Sequence, residues 1–123
     1  LAHSVSSAYR IECEFVTGAP VLFDDAAVAM HVFRIAQEAI NNSTRHGNPD
    51  RISVELGEAD GIVTLRVADD GGGLPEGWQD SSGMGLKTMQ HRARMLNGQL
   101  NIAAGQGGGT VVECTFARPD KES

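Results

Sequence analysis

The sequence predicts a two-layer α+β domain, with helices packed on one face of a mixed sheet. Its 123 residues suit a single domain. A hydrophobic fraction of 41% and a charged fraction of 21% are ordinary for a soluble chain that closes one core. Segments of strand and helix periodicity alternate in the order β-α-β-β-α-β-β. That order favours one helix layer on one sheet.

The first half begins with a strand and a long helix. Residues 9–16 alternate in polarity, which predicts a strand. Asp24 or Asp25 then caps a helix that runs over residues 26–45, where no Gly or Pro occurs and apolar residues recur at helical spacing. Gly47 is expected to end it.

The second half holds a hairpin, a second helix and two strands. Residues 51–56 and 62–68 both alternate and flank a short turn around 58–61, which indicates a hairpin. The next helix should end at Asn97–Gly98 in a left-handed residue. Its apolar face consists of Leu86, Met89, Ala93 and Leu96. The last two strands are predicted over residues 99–104 and 110–117.

Charge and cysteine content exclude several classes of function. A net charge of −6 disfavours a nucleic-acid binder, which needs a basic surface. No apolar stretch approaches the roughly 20 residues of a membrane span, and no signal peptide opens the chain, so we expect a cytoplasmic domain without membrane contact. Cys13 and Cys114 are interpreted as core thiols, although a disulfide stays open if their strands pair.

One polar stripe on the first helix carries candidate chemistry. Arg34, Glu38, Asn42 and His46 recur every four residues, on the side opposite much of the apolar face. The stripe offers a carboxylate, a carbonyl oxygen for a hard cation and, with Arg45, cationic donors for phosphate. A plain solvated helix face is the alternative interpretation.

An acidic and glycine-rich segment follows the hairpin. Asp69 at the end of a strand suits a fixed, partly buried acceptor, for which an adenine amino group is a natural partner. Gly71 and Gly73 allow a flat ligand to approach the backbone. A tight turn is the alternative, whereas a calcium loop lacks the further acidic residues it needs.

Two more glycine motifs complete the set. Gly83, Gly85 and Leu86 open the second helix, where free backbone N–H groups suit an anion. Gly109 and Thr110 enter the last strand, where the threonine either binds a ligand or only shapes a hairpin. Neither is a Walker loop or a Rossmann fingerprint.

In this order the four motifs resemble the N box, the two glycine boxes and the terminal Gly-Thr of the GHKL ATPase superfamily. The segments "FRIAQEAINNSTRHG", "VADDGGGLP", "GMGLKTMQHRARMLNGQL" and "GGGTVVECTF" are similar to the catalytic ATP-binding domain of bacterial sensor histidine kinases, in the nitrate-sensor-like branch. The resemblance covers residues 9–117, which we expect to be the core of one domain over residues 1–123. It implies a mainly antiparallel sheet and the cofactors ATP and Mg²⁺.

The resemblance also implies roles at the phosphate end of a nucleotide. Asn42 would be the Mg²⁺ ligand, and Glu38 would lie near the γ-phosphate as the acidic, base-like residue. Arg45 and His46 match the basic pair that meets the phosphates. The remaining residues implied at this end are Gly83, Gly85 and Leu86 through their backbone amides, and Lys87 as a weaker candidate.

At the other end, the resemblance implies that Asp69 accepts from the adenine amino group. Gly71 and Gly73 would shape that wall, and Thr110 would support it. Residues 74–82 would form a short lid in which Trp78 is the single large side chain. Gyrase-like and chaperone-like ATPases carry much longer lids, which counts against them.

The implied partners are a dimerising helical hairpin that carries the phosphoacceptor histidine, and a response regulator downstream. His3, His31 and His91 lack the setting of an acceptor, so we expect an excised, monomeric domain that binds ATP·Mg²⁺ without phosphorylating itself. The alternatives are a serine-protein kinase of the anti-sigma type and a nucleotide-sensing module without catalysis.

Overall fold

The described part of the chain holds seven elements, which follow one another in the predicted order. The structure is a computed structural model, and it describes residues 12–16, 23, 25–43, 51–71, 83–105 and 108–118. The elements in these ranges are β1 (Glu12–Val16), α1 (Ala26–Asn42), β2 (Arg51–Ala59), β3 (Ile62–Asp69), α2 (Gly83–Met95), β4 (Gln99–Ala104) and β5 (Thr110–Ala117).

The strands form one five-stranded sheet in the order β1-β2-β3-β5-β4. β1 runs parallel to β2, and the other neighbours are antiparallel. A mixed, mainly antiparallel sheet is therefore confirmed. Within the described ranges, no helix has the length and apolar character needed to cross a bilayer.

The strands that hold the two cysteines do not pair. Cys13 on β1 lies opposite Ile52, Cys114 on β5 lies opposite Leu65, and both β2 and β3 lie between β1 and β5. Neighbouring strands are about 4.8 Å apart, so three spacings exceed the reach of a disulfide. The disulfide left open by the sequence is excluded, and Cys114 is a buried free thiol.

The core lies between the helices and one face of the sheet. Every second residue of β3 is buried, which is the period expected of a strand with one covered face. Asp69 continues this alternation, so the register of β3 directs its carboxylate to the helix side. The buried apolar side chains are Val28, Val32, Ile35, Ala36, Ala39 and Ile40 of α1, Ile52, Val54, Val63, Leu65 and Val67 of β2 and β3, Leu86, Met89, Ala93 and Leu96 in or just after α2, and Val112, Cys114 and Phe116 of β5.

Local signals set where α1 begins and ends. The Asp25 carboxylate accepts from the backbone N–H of Ala27 at 2.8 Å, so Asp25 is the cap. The described helix runs to Asn42, and the Ser43 N–H donates to the carbonyls of Ala39 and Ile40. Residues 44 and 45, over which the helix was predicted to continue, lie outside the described residues. Gly47, the predicted stop, lies outside the described residues.

The hairpin closes through a tighter turn than the sequence indicated. β2 extends to Ala59, and only Asp60 and Gly61 connect it to β3. Their φ angles of 54° and 78° are those of a type I′ turn, whose twist matches the flanking strands. The Arg118 guanidinium bridges the Glu58 carboxylate at 2.6 and 2.8 Å beside this turn.

α2 ends in a Schellman motif. The N–H of Gly98 donates to the Ala93 carbonyl and that of Asn97 to the Arg94 carbonyl, both at 2.9 Å. Asn97, with φ of 55°, is the left-handed residue predicted for this end. Gly98 is needed for a different reason, because a Cβ there would meet the Thr115 carbonyl oxygen at 2.5 Å.

Candidate functional site

The last turn of α1 lies between the end of β3 and the start of α2. Ser43 donates from Oγ to Oδ2 of Asp69 at 2.6 Å. Asn42, the preceding residue, faces Gly85, where an added Cβ would be 3.0 Å from its Oδ1. Two consecutive residues of one helix therefore bring together motifs that are far apart in the sequence.

Asp69 is a fixed acceptor, as predicted. It is 9% exposed, and its Oδ1 accepts from the N–H of Gly71 at 2.9 Å and of Thr110 at 3.2 Å. Its Oδ2 accepts from Ser43. Three donors offset the cost of burying the carboxylate and leave it little freedom to rotate.

Gly109 allows β5 to reach Asp69. Its φ of 79° lies in the left-handed region, and an added Cβ would overlap the backbone carbonyl oxygen of Asp69. Because Gly109 lacks that atom, the chain passes close enough for Thr110 to donate its N–H to the carboxylate. The described contact of Thr110 is therefore through its backbone.

The polar stripe of α1 does not stay on the solvent side. Arg34 is exposed and donates to Gln37 at 2.9 Å. Glu38 and Asn42 are half-buried and face α2, since a Cβ at Gly85 would lie 2.8 Å from Oε2 of Glu38 and 3.0 Å from Oδ1 of Asn42. A row spaced by four residues drifts around a helix of 3.6 residues per turn, which explains why its two ends differ.

These oxygens fit a hard cation. A carboxylate oxygen of Glu38 and the amide oxygen of Asn42 lie on the same side of Gly85, and Mg²⁺ prefers oxygen ligands. Among the described residues, no group of three or more His, Cys, Asp or Glu side chains could enclose a metal. The arrangement suits Mg²⁺, which is held by one or two protein oxygens together with substrate phosphates and water.

The start of α2 supplies donors rather than side chains. The first N–H groups of a helix have no partner within the helix and carry partial positive charge. Gly83 begins α2, and Leu86 is 7% exposed with its side chain in the core, so Leu86 can offer a ligand its backbone but not its side chain. Lys87 is exposed beside them.

Several predicted residues lie outside the described part of the chain. They are Arg45, His46, Gly73 and the lid over residues 74–82 with Trp78. Their assigned roles stay predictions.

Sequence reasoning did not single out Ser43. It lies four residues after Ala39 and three after Ile40, both of which are buried, so helical spacing places it on the covered face. A hydroxyl at such a position signals a buried hydrogen-bond partner. The identity of that partner required the fold, because Asp69 is 26 residues away.

Comparison with known families gives this geometry a context. Residues 27–120 match the family described as histidine kinase-, DNA gyrase B-, and HSP90-like ATPase. The chain belongs to this ATPase family. The match includes α1 apart from its first residue, all of α2 and strands β2 to β5, and therefore every described residue of the site.

Proteins similar in sequence to this ATPase domain include sensor proteins. The nitrate/nitrite sensor protein NarQ of Escherichia coli is 32% identical over 123 residues, which are 99% of this chain and 21% of NarQ. The chain thus spans about a fifth of that relative's length.

Solved structures share the fold. The histidine kinase domain of the Erythrobacter litoralis EL346 blue-light activated histidine kinase has a TM-score of 0.77 at 22% identity, over 95% of this chain and 57% of that one. The ATP binding domain of PrrB from Mycobacterium tuberculosis has a TM-score of 0.75 at 21% identity, over 97% and 89%. The predicted helix layer on a mixed sheet is the architecture of these domains.

Proposed function

We propose that this ATPase domain is the catalytic domain of a two-component sensor histidine kinase. It binds ATP·Mg²⁺ and donates the γ-phosphoryl group to a histidine on a separate helical hairpin, for relay to a response regulator. The observation that carries the proposal is the placement of two adjacent residues. Ser43 donates to the fixed acceptor Asp69, and Asn42 lies beside Gly85 at the start of α2, so both parts belong to one site. Similarity to sensor proteins such as NarQ supports the kinase assignment.

In this proposal Asp69 binds the adenine end. Its carboxylate accepts from the exocyclic amino group, which needs a fixed acceptor at one position. Gly71 and Gly73 form the adjoining wall without side chains, and Thr110 holds Asp69 in place.

The phosphate end lies along the start of α2. Backbone N–H groups of Gly83, Gly85 and Leu86 donate to phosphate oxygens, and Lys87 adds positive charge nearby. Arg45 and His46 are assigned to the same phosphates. Glu38 lies beside Gly85 and is assigned as the acidic, base-like residue near the γ-phosphate.

Asn42 is the proposed Mg²⁺ ligand, with Glu38 beside it. The bound ion would neutralise charge on the phosphate oxygens. Catalysis of phosphoryl transfer depends mostly on positioning and charge stabilisation, which is what fixed amides and side chains on two packed helices provide. Because ATP and Mg²⁺ are available in the cytoplasm, we place the domain in that compartment. There it acts as a monomeric domain that binds its hairpin partner.

Calorimetric titration of the chain with ADP and a non-hydrolysable ATP analogue, with and without Mg²⁺, tests the binding step. We expect Mg²⁺ to strengthen binding of the analogue, and Asn42→Ala to remove that gain. Asn41→Ala is the matched control, because Asn41 is exposed on the same turn. An Asn42→Ala chain that keeps the full Mg²⁺ effect would contradict the metal assignment, and no binding of either nucleotide would favour the interaction-module alternative.

Phosphoryl transfer is tested by adding the phosphoacceptor hairpin of a similar sensor kinase with labelled ATP. Phosphohistidine is acid-labile, whereas phosphoserine survives acid. An acid-labile label on the hairpin supports the histidine kinase assignment. An acid-stable label on a serine would instead favour the anti-sigma type of kinase.

A further inference from the structure

Ser43 holds one oxygen of the Asp69 carboxylate. Its Oγ lies 2.6 Å from Oδ2, and both residues are 9% exposed. A hydroxyl–carboxylate hydrogen bond of this length is charge-assisted and stronger than a neutral one. Within the described part of the chain, Ser43 is the one side chain that donates to Asp69.

The other two donors hold only the opposite oxygen. Gly71 and Thr110 both donate backbone N–H groups to Oδ1. A carboxylate offers about four acceptor positions, two on each oxygen. Counting the donors among the described residues, Oδ1 is filled and Oδ2 keeps one position for a ligand beside Ser43.

We propose that Ser43 is a positioning residue that orients Asp69 to select a purine with an amino group at position 6. The inference rests on the proposed binding of adenine nucleotides by this site. An amino group donates to the free position of Oδ2, whereas a carbonyl oxygen at position 6, as in hypoxanthine, faces a fixed negative oxygen. The discrimination depends on a carboxylate that cannot turn away, and that is what the Ser43 hydrogen bond provides.

The test compares ADP with inosine diphosphate, which differs in the group at position 6 and the protonation of N1. We expect the parent chain to prefer ADP. Ser43→Ala should weaken ADP binding by about tenfold, the effect of losing one hydrogen bond to a charged group, and change inosine diphosphate binding by less than about twofold. The preference for ADP should therefore fall by about tenfold, measured by calorimetry.

A second pair of variants separates the hydroxyl from packing. Ser43→Thr and Ser43→Val have nearly the same shape, but only threonine keeps the donor. We expect Ser43→Thr to keep more of the preference for ADP than Ser43→Val. Thermal unfolding of both variants shows whether each is folded at the temperature of the titration, and equal preference in the two would overturn the inference.

The outcomes distinguish this inference from the proposal on which it rests. A parent chain that binds neither diphosphate overturns both. A parent that prefers ADP, with the same preference in Ser43→Ala, overturns the role of Ser43 and leaves the adenine site intact. Equal weakening of both diphosphates in Ser43→Ala also overturns it, because that result describes a merely structural hydroxyl.

Discussion

Gly85 and Gly109 both lack room for a Cβ, but different atoms occupy the space. At Gly85 the nearest atoms are the ends of the flexible Glu38 and Asn42 side chains. At Gly109 they are backbone atoms of Asp69 and Asp70. Side-chain ends can rotate away at small cost, whereas a strand in the centre of a sheet cannot shift without breaking its neighbours' hydrogen bonds.

Gly85→Ala should therefore damage binding more than folding. Alanine favours a helix over glycine, so we expect the free energy of unfolding to stay within about 1 kcal/mol of the parent. The added methyl group displaces Glu38 and Asn42, and Mg²⁺-dependent affinity for an ATP analogue should fall by about tenfold or more. Gly57→Ala is the control, because a Cβ there meets no atom within 4 Å. Unchanged affinity in Gly85→Ala would argue against a metal site between these side chains.

Gly109→Ala should instead damage folding. The methyl group overlaps the Asp69 carbonyl, and the φ of 79° adds strain, so we expect a loss of about 2–4 kcal/mol in urea unfolding. Gly61→Ala isolates the strain, since Gly61 has φ of 78° but open space around its Cβ position. An equal loss of unfolding free energy in the two variants would show that the overlap with Asp69 does not contribute to the destabilisation.

At the scale of elements, the end of α2 depends on one left-handed residue. Asn97 has φ of 55°, which alanine adopts at a cost of about 1–2 kcal/mol and glycine adopts freely. We expect Asn97→Ala to lower the free energy of unfolding by about 1 kcal/mol and Asn97→Gly to keep or raise it, both measured by chemical denaturation. Equal stability of the two variants would mean that the turn re-forms in another conformation.

The pairing of α1 with α2 is also an element-scale feature. Arg92 Nη1 lies 3.2 Å from Nδ1 of His31 across the two helices. Because a guanidinium can only donate, His31 accepts at Nδ1. This contact agrees with the interpretation of His31 as a structural residue rather than a phosphoacceptor.

At the scale of the whole molecule, the helix layer covers the face of the sheet on which Cys114 lies. Cys114 is 1% exposed, and burial raises the pKa of its thiol from 9.0 to about 11. Folding therefore favours the neutral thiol. This contribution to stability is fully present below pH 9 and is lost as the pH rises towards 11.

We expect the free energy of unfolding to fall by about 2 kcal/mol between pH 8 and 11 because of Cys114. The measurement is urea unfolding of Cys13→Ser compared with the double variant Cys13→Ser, Cys114→Ala, so that Cys114 alone differs. The double variant should lack this part of the pH dependence. Parallel pH profiles would show that the thiol ionises freely in the folded state.

Elements were predictable because their causes are local. Alternation gave the strands, the absence of Gly and Pro gave α1, and Asn97–Gly98 gave the end of α2. The predicted end of α1 near residue 45 lies outside the described residues, so it stays a prediction. The type I′ turn at Asp60–Gly61 was placed within a longer turn, although the pair Asp-Gly is itself a signal for a two-residue type I′ loop.

The sequence by itself determined the order of the elements, the family resemblance and the motifs from which the candidate site is proposed, because each depends on residue type and spacing along the chain. Only the tertiary structure decided that Ser43 donates to Asp69, that Gly109 lies against the Asp69 backbone and that the cysteine strands are separated by two others. These contacts join residues far apart in sequence. Strand order and helix packing bring these residues together, and neither can be predicted from the local periodicity of the sequence.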